Sequence, residues 1–162
     1  MITLRNGLAV GSGAPVRVNC NIGCNTEKEY ASELQKIEAI KVSVFRSLPK
    51  EDYDRLAESC DVGLIFLDYR FTIPNYPSRL LPYLMSRKPI IACTDPNCDT
   101  GKLAEQNGYG FYCPSNSVES FVKAIDRMLA SDIRQMGENG YQFFLDNYTT
   151  EHTFKAIMKH FE

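Results

Sequence analysis

The chain has 162 residues, 44% hydrophobic and 23% charged, which fits one compact domain around one substantial core. Its net charge of −2 supplies no broad positive field, so nucleic acid and anionic membrane surfaces are excluded as partners and any anion must be held by a local site. No segment approaches the roughly 20 consecutive apolar residues that span a bilayer, and MITLRNGLAVGSG lacks the apolar run of a signal peptide, so a cytoplasmic protein is expected.

Taken in chain order, LAVGSG reads as a strand end running into a glycine turn, where Gly11 and Gly13 would let backbone approach a nucleoside or simply close a tight turn. VRVNCNIG fits a second strand or a loop. Thr26 and Glu29 form a capping box, predicting a helix from Glu27 to about Ile40. From residue 40 onward, apolar runs alternate with helical patterns: VSVF (42–45), a helix from Lys50, VGLIFL (62–67), a helix after Ser78, PIIAC (89–93), a helix after Gly101 and GYGFYC (108–113). That alternation predicts an α/β domain, a Rossmann-like parallel sheet with helices on both faces. Three further helices, Ser117–Ala130, Ile133–Tyr148 and Glu151–Phe161, give it a helical C-terminus.

The cysteines (Cys20, Cys24, Cys60, Cys93, Cys98, Cys113) lack the paired C-x2-C spacing of zinc modules and read as free thiols. A metal site would need Cys20, Cys24, Cys93 and Cys98 to converge. His152 and His160 have no nucleophile in a recognisable triad context.

FTIPNYPSRLLP (71–82) follows the strand VGLIFL, at the edge of a parallel sheet where ligands bind. Pro82 sits best in a first helical turn, which starts the helix near Ser78 or Arg79. The amides around Arg79, Leu80 and Leu81, the Ser78 hydroxyl and the Arg79 guanidinium would then form an anion site suited to phosphate. The same residues also fit a plain turn, with Ser78 capping the helix and Arg79 solvated. Asp95 and Asp99 follow the next strand at the same edge, where they fit contacts to a sugar or an acceptor as well as a turn former and a helix cap.

From Leu48 to Phe161 the chain resembles the C-terminal, nucleotide-sugar-binding half of a GT-B fold, group-1-type bacterial glycosyltransferase. The residues that carry the resemblance are LPKEDYDRLAESCDVGLIFLD, PNYPSRLLPYLMSRKPIIACTD, NGYGFYCPSNSVESFVKAIDRML and MGENGYQFFLDNYTTE. The resemblance implies a nucleoside-diphosphate sugar donor, a UDP-sugar in the first instance, with its diphosphate against the helix start at Ser78 and Arg79. It also implies a base seated near Arg46 and Ser47, no catalytic metal and no cofactor, since fixed dipoles stabilise the leaving diphosphate in such enzymes.

Two departures concern the ribose: Pro74 and Pro82 stand where the family usually carries glutamates, which leaves Asn75 or backbone groups to hold it. The family's opening strand with its basic pair has no equivalent before LAVGSG, and Arg5 and Arg17 stand in other contexts. The expected unit is thus residues 1–162 as a single donor-binding domain without its first strand and without the N-terminal acceptor domain. It would serve transfer to a lipid-linked or saccharide acceptor in cell-surface polysaccharide synthesis, such as lipopolysaccharide or capsule, with membrane contact only through the absent half. The isolated domain would be inactive. A separate subunit of a split enzyme, or a non-catalytic domain that has lost donor binding, are the alternative readings.

Overall fold

The computed structural model of the protein describes residues 2–5, 16–21, 40–45, 48–71, 73 and 75–161. Its elements are β1 (Ile2–Arg5), β2 (Val16–Asn21), β3 (Ile40–Phe45), α1 (Lys50–Glu58), β4 (Val62–Phe66), α2 (Leu80–Met85), β5 (Ile90–Thr94), α3 (Thr100–Gln106), β6 (Gly110–Pro114), α4 (Val118–Leu129), α5 (Ile133–Asn147) and α6 (Thr150–Met158). VRVNCNIG therefore supplies a strand, and Ile40 opens β3. LAVGSG and the helix expected from Glu27 lie outside the described residues.

The strands form one sheet in the order β3-β2-β1-β4-β5-β6. β2 pairs parallel with β3, and β4, β5 and β6 pair parallel in succession, whereas β1 is antiparallel to both of its neighbours, β2 and β4. Five strands thus share one direction, and their carboxyl ends gather along one edge. The order is that of a Rossmann-like sheet, with the single reversed strand at its centre.

Burial splits the apolar strands by the two-residue period of a pleated sheet. Val62, Leu64, Ile91, Cys93 and Cys113 face one way and pack with Ala124, Met128 and Met136 of α4 and α5. Ile65, Ile90 and Ala92 face the other way and pack with Leu80, Tyr83 and Leu84 of α2, Ala104 of α3 and Ala57 of α1. Coverage of both faces is why VGLIF and IIACT read as unbroken apolar runs instead of alternating ones. Gly63 is required where α2 crosses β4: a Cβ there would stand 2.6 Å from the Tyr83 ring.

The helix α2 ends on Arg87, whose φ of 53° is in the left-handed region that usually selects glycine. The Lys88 amide closes the turn on the Tyr83 carbonyl at 2.9 Å. The conformation is held from α5: the Arg87 guanidinium carbon lies 3.9 Å from the centroid of the Tyr141 ring, and its Nε is 3.1 Å from Glu138 Oε1.

Caps set the later helices. Ser117 accepts from the Ser120 amide, Asp132 from those of Arg134 and Gln135, and Thr149 from that of His152. Phe143 and Phe144 pack against the core, as core-facing aromatics should, with Phe143 at 5.1 Å from Tyr109. The helix α6 buries none of its residues: Phe154, Ile157, Met158 and, just beyond it, Phe161 have the spacing of one helix face and are exposed. Among the described residues no helix is long and apolar enough to cross a membrane.

Candidate functional site

The carboxyl ends of β4, β5 and β6 each deliver a polar turn to the same edge of the sheet. After β4 the Leu67 amide extends the pairing to the Cys93 carbonyl at 2.9 Å, and the chain then turns, with the Phe71 amide on the Asp68 carbonyl at 2.9 Å. Asp68 and Arg70 close this turn as an ion pair, Nη2 to Oδ2 at 2.6 Å and Nε to Oδ1 at 3.0 Å. Hydrogen bonds from the Arg70 side chain and amide hold the Asp68 carboxyl down at a pKa of about 2.

The proline-rich segment that follows is anchored at two points. Cys98, buried near the end of the loop after β5, donates its Sγ–H to the Asn75 carbonyl at 3.3 Å. The Tyr76 and Tyr148 hydroxyls lie 2.6 Å apart, with the two rings 5.6 Å between centroids. Pro77 is buried beneath these contacts and fixes where α2 begins.

Four predicted site residues, Asn75, Ser78, Arg79 and Leu80, lie on this one segment. Asn75, Ser78 and Arg79 are exposed, and Leu80 is fully buried in the core. The first helical turn departs from the arrangement that the sequence suggested: the Leu80 amide donates to the Pro77 carbonyl at 3.0 Å, so the chain's own turn occupies one of the amides expected to face an anion. Arg79 takes the N-cap place, and no side chain caps the helix. Among the described residues Arg79 has no hydrogen-bond or ion-pair partner, leaving an exposed guanidinium at the helix start. It is close enough to Tyr53 to favour the phenolate, against the stronger effect of burial, which raises the Tyr53 pKa. Ser78 lines a groove of about 600 Å3 between α1 and α2, together with Tyr53, Leu81, Pro82 and Met85. Gly11, Gly13, Arg46 and Ser47 lie outside the described residues, as does Pro74.

The turn after β5 carries a feature that spacing alone gives no reason to single out. Asp95 is 1% exposed. Its Oδ1 accepts from the Asn97 amide at 2.8 Å, as a turn-forming aspartate does, but its buried Oδ2 has no hydrogen-bond partner among the described residues. On the adjacent strand the register pairs Thr94 with Pro114, and the next residue, Ser115, donates its amide to the Thr94 carbonyl at 3.1 Å and has a buried Oγ with no partner among the described residues. Ser115 and Asn116 join Phe66, Tyr69 and the Asp68–Arg70 pair around a cleft of about 490 Å3. Asp99 stands at the N-cap of α3 without a capping bond.

Among the described residues the thiols do not gather into a ligand set; Cys24, which the metal alternative also needs, lies outside them. Cys93 and Cys113 face each other across β5 and β6 with their sulfurs 3.0 Å apart, while Cys98 also reaches Thr100 at 3.3 Å. Among the described residues no three His, Cys, Asp or Glu side chains are placed to hold a metal ion.

No family model matches the chain. Over 140 residues it is 24% identical to the "Probable glycosyltransferase WbjE" of Pseudomonas aeruginosa, an alignment covering 86% of this chain and 32% of that protein. The chain therefore spans about a third of the length of the curated relative that it matches.

Proposed function

We propose that this chain is the donor-binding part of a glycosyltransferase of the GT-B, group-1 type, and that the segment Asn75–Arg79 receives the diphosphate of a nucleoside-diphosphate sugar. The observation that carries the reading is the exposed Arg79 guanidinium, without a partner among the described residues, at the start of α2, on the edge where the carboxyl ends of the parallel strands meet. The glycosyltransferase named above adds support for the general activity.

In this reading Arg79 supplies the charge that a leaving diphosphate needs, Ser78 adds a hydroxyl donor, and the tethers at Asn75 and Tyr76 hold both in place before the ligand arrives. With the Leu80 amide committed to Pro77, the cationic side chain and the hydroxyl carry more of the work than the helix dipole does. The groove beside Ser78, bounded by Tyr53 and Pro82, is the surface along which the nucleoside would extend. The donor is a UDP-sugar and the acceptor a lipid-linked or saccharide chain in cell-surface polysaccharide synthesis, on the cytoplasmic side. A further domain or a partner subunit supplies the acceptor site and any catalytic base. Thermal-shift titration of the purified chain with UDP, GDP and ADP tests the reading. UDP is expected to raise the melting temperature most; no shift with any of the three rejects the reading.

A non-catalytic role is the second reading, favoured by one observation: Pro82 stands on α2 where the resemblance expects a ribose-binding glutamate, and the carboxylates lining the groove, Asp54 and Glu58, belong to α1 instead. The same titration separates the two.

A further inference from the structure

Cys93 and Cys113 stand directly opposite each other in the register of β5 and β6, 20 positions apart in the chain, and their side chains point to the same face of the sheet. Neighbouring parallel strands lie about 4.8 Å apart in the hydrogen-bonding direction, inside the roughly 4.4–6.8 Å that separates the Cα atoms of bridged cysteines. The two sulfurs are already 3.0 Å apart, so closing a bond of about 2.05 Å asks them to move by about 1 Å. Both thiols are free and 1% exposed, in the apolar cluster that Ala124 and Met128 of α4 cover.

The contact is unequal. The bond to Cys113, and burial after it, push the Cys93 pKa up, whereas the same bond favours the thiolate at Cys113 against the opposing effect of burial. The thiolate is the form that attacks an oxidant, and a second thiol in contact with it is in place to resolve the product.

We propose that Cys93 and Cys113 form a redox modification site, a latch that a peroxide converts to a disulfide tying β5 to β6 near the carboxyl edge of the sheet. The Cys113 sulfur attacks one peroxide oxygen and the O–O bond breaks, giving a sulfenic acid and hydroxide, which leaves as water with the proton of the Cys113 thiol. The Cys93 sulfur then attacks the Cys113 sulfur, the S–O bond breaks, and the second hydroxide leaves as water with the Cys93 proton. Two thiols are thereby oxidised by two electrons to one disulfide, and one peroxide is reduced to two waters. Burial sets the pace in both directions: even a small oxidant reaches the pair only when α4 opens locally, and a bulky reductant is kept off the product. Cys93 and Cys113 each stand two residues before a turn residue of the edge, Asp95 and Ser115, so the bond fixes the base of both turns. The latch is independent of the diphosphate reading and survives its failure.

The test treats the full chain, folded and reduced, with hydrogen peroxide at neutral pH, samples the reaction over hours by alkylation in denaturant, and maps the peptides without reduction. The wild type is expected to yield a peptide pair joined through Cys93 and Cys113, about 2 Da lighter than the two thiol peptides together. Its melting temperature should rise by about 5 °C or more, a gain lost again after prolonged treatment with dithiothreitol. Cys98, equally buried but bonded to the Asn75 carbonyl and the Thr100 hydroxyl, is the internal control and should remain a thiol. In Cys93→Ala the Cys113 sulfenic acid should persist long enough to be trapped by dimedone, whereas in Cys113→Ala the remaining Cys93 should stay unreacted over the same time. The peptide map of the wild type decides the matter even where a variant fails to fold. Recovery of both residues as thiols from the folded protein, a bridge found only between other cysteines, or a bridged form that melts no higher than the reduced one overturns the latch.

Discussion

The Tyr76 hydroxyl meets that of Tyr148 at 2.6 Å, joining the proline-rich segment to the residue that ends α5, 72 positions later in the chain. This contact, with the Cys98 bond to Asn75, turns a loop into a fixed platform. Tyr148→Phe removes the bond and keeps the ring contact. The expected cost is about 1 kcal/mol in urea unfolding, together with faster amide exchange at Asn75 and Tyr76.

Tyr76 also sets a pH limit. Burial first, then the bond to Tyr148, pushes the Tyr76 hydroxyl well above the usual tyrosine pKa, and burial raises Tyr109 likewise. A raised pKa means that the folded state holds its proton longer than the unfolded chain does. The contribution is therefore complete below the unfolded value of about 10 and is lost as pH rises beyond it. Melting temperature should be flat from neutral pH to about pH 9 and fall above about pH 10. In Tyr76→Phe that fall should be shallower.

At Gly137 the Arg87 turn and α5 are packed backbone to backbone. A Cβ on Gly137 would stand 2.2 Å from the Arg87 carbonyl oxygen, with no flexible side chain to give way. Gly137→Ala should destabilise the fold by about 2 kcal/mol or more, measured by denaturant midpoint. Arg87→Gly should come closer to neutral, since relief of the left-handed strain offsets the lost stacking on Tyr141.

Leu84 is fully buried between α2 and the sheet, and its side chain also bounds the space over Gly140. Leu84→Ala should cost about 3 kcal/mol by leaving a cavity. Because α2 carries Arg79 at its N-cap, the variant should also weaken any ligand bound there, whereas an equal loss placed at Met128, on the other face of the sheet, should not.

How much of this was legible in the sequence follows from which physical signals are local. Unbroken apolar runs marked β4 and β5, and helical periodicity with a serine cap marked α4 within a residue at each end. ITLR carries no such signal in its four residues, and its antiparallel place between β2 and β4 is a matter of long-range pairing. The run Pro77-Ser78-Arg79 announced a helix start, yet not that Leu80 would turn its amide back to Pro77. Asp95 looked like a turn former and is one. Its second oxygen became notable only when burial left it, among the described residues, without a hydrogen-bond partner. The spacing of Phe154, Ile157 and Phe161 foretold a helix face but not that the face would remain exposed.

The central claim is that Arg79 binds a diphosphate, and isothermal calorimetry with UDP on the wild type, Arg79→Ala and Arg79→Lys tests it most directly. The account predicts saturable heat for the wild type, affinity lower by about tenfold or more in Arg79→Ala, and partial recovery in Arg79→Lys. Equal affinity in all three, or no heat with the wild type at saturating UDP, would contradict it.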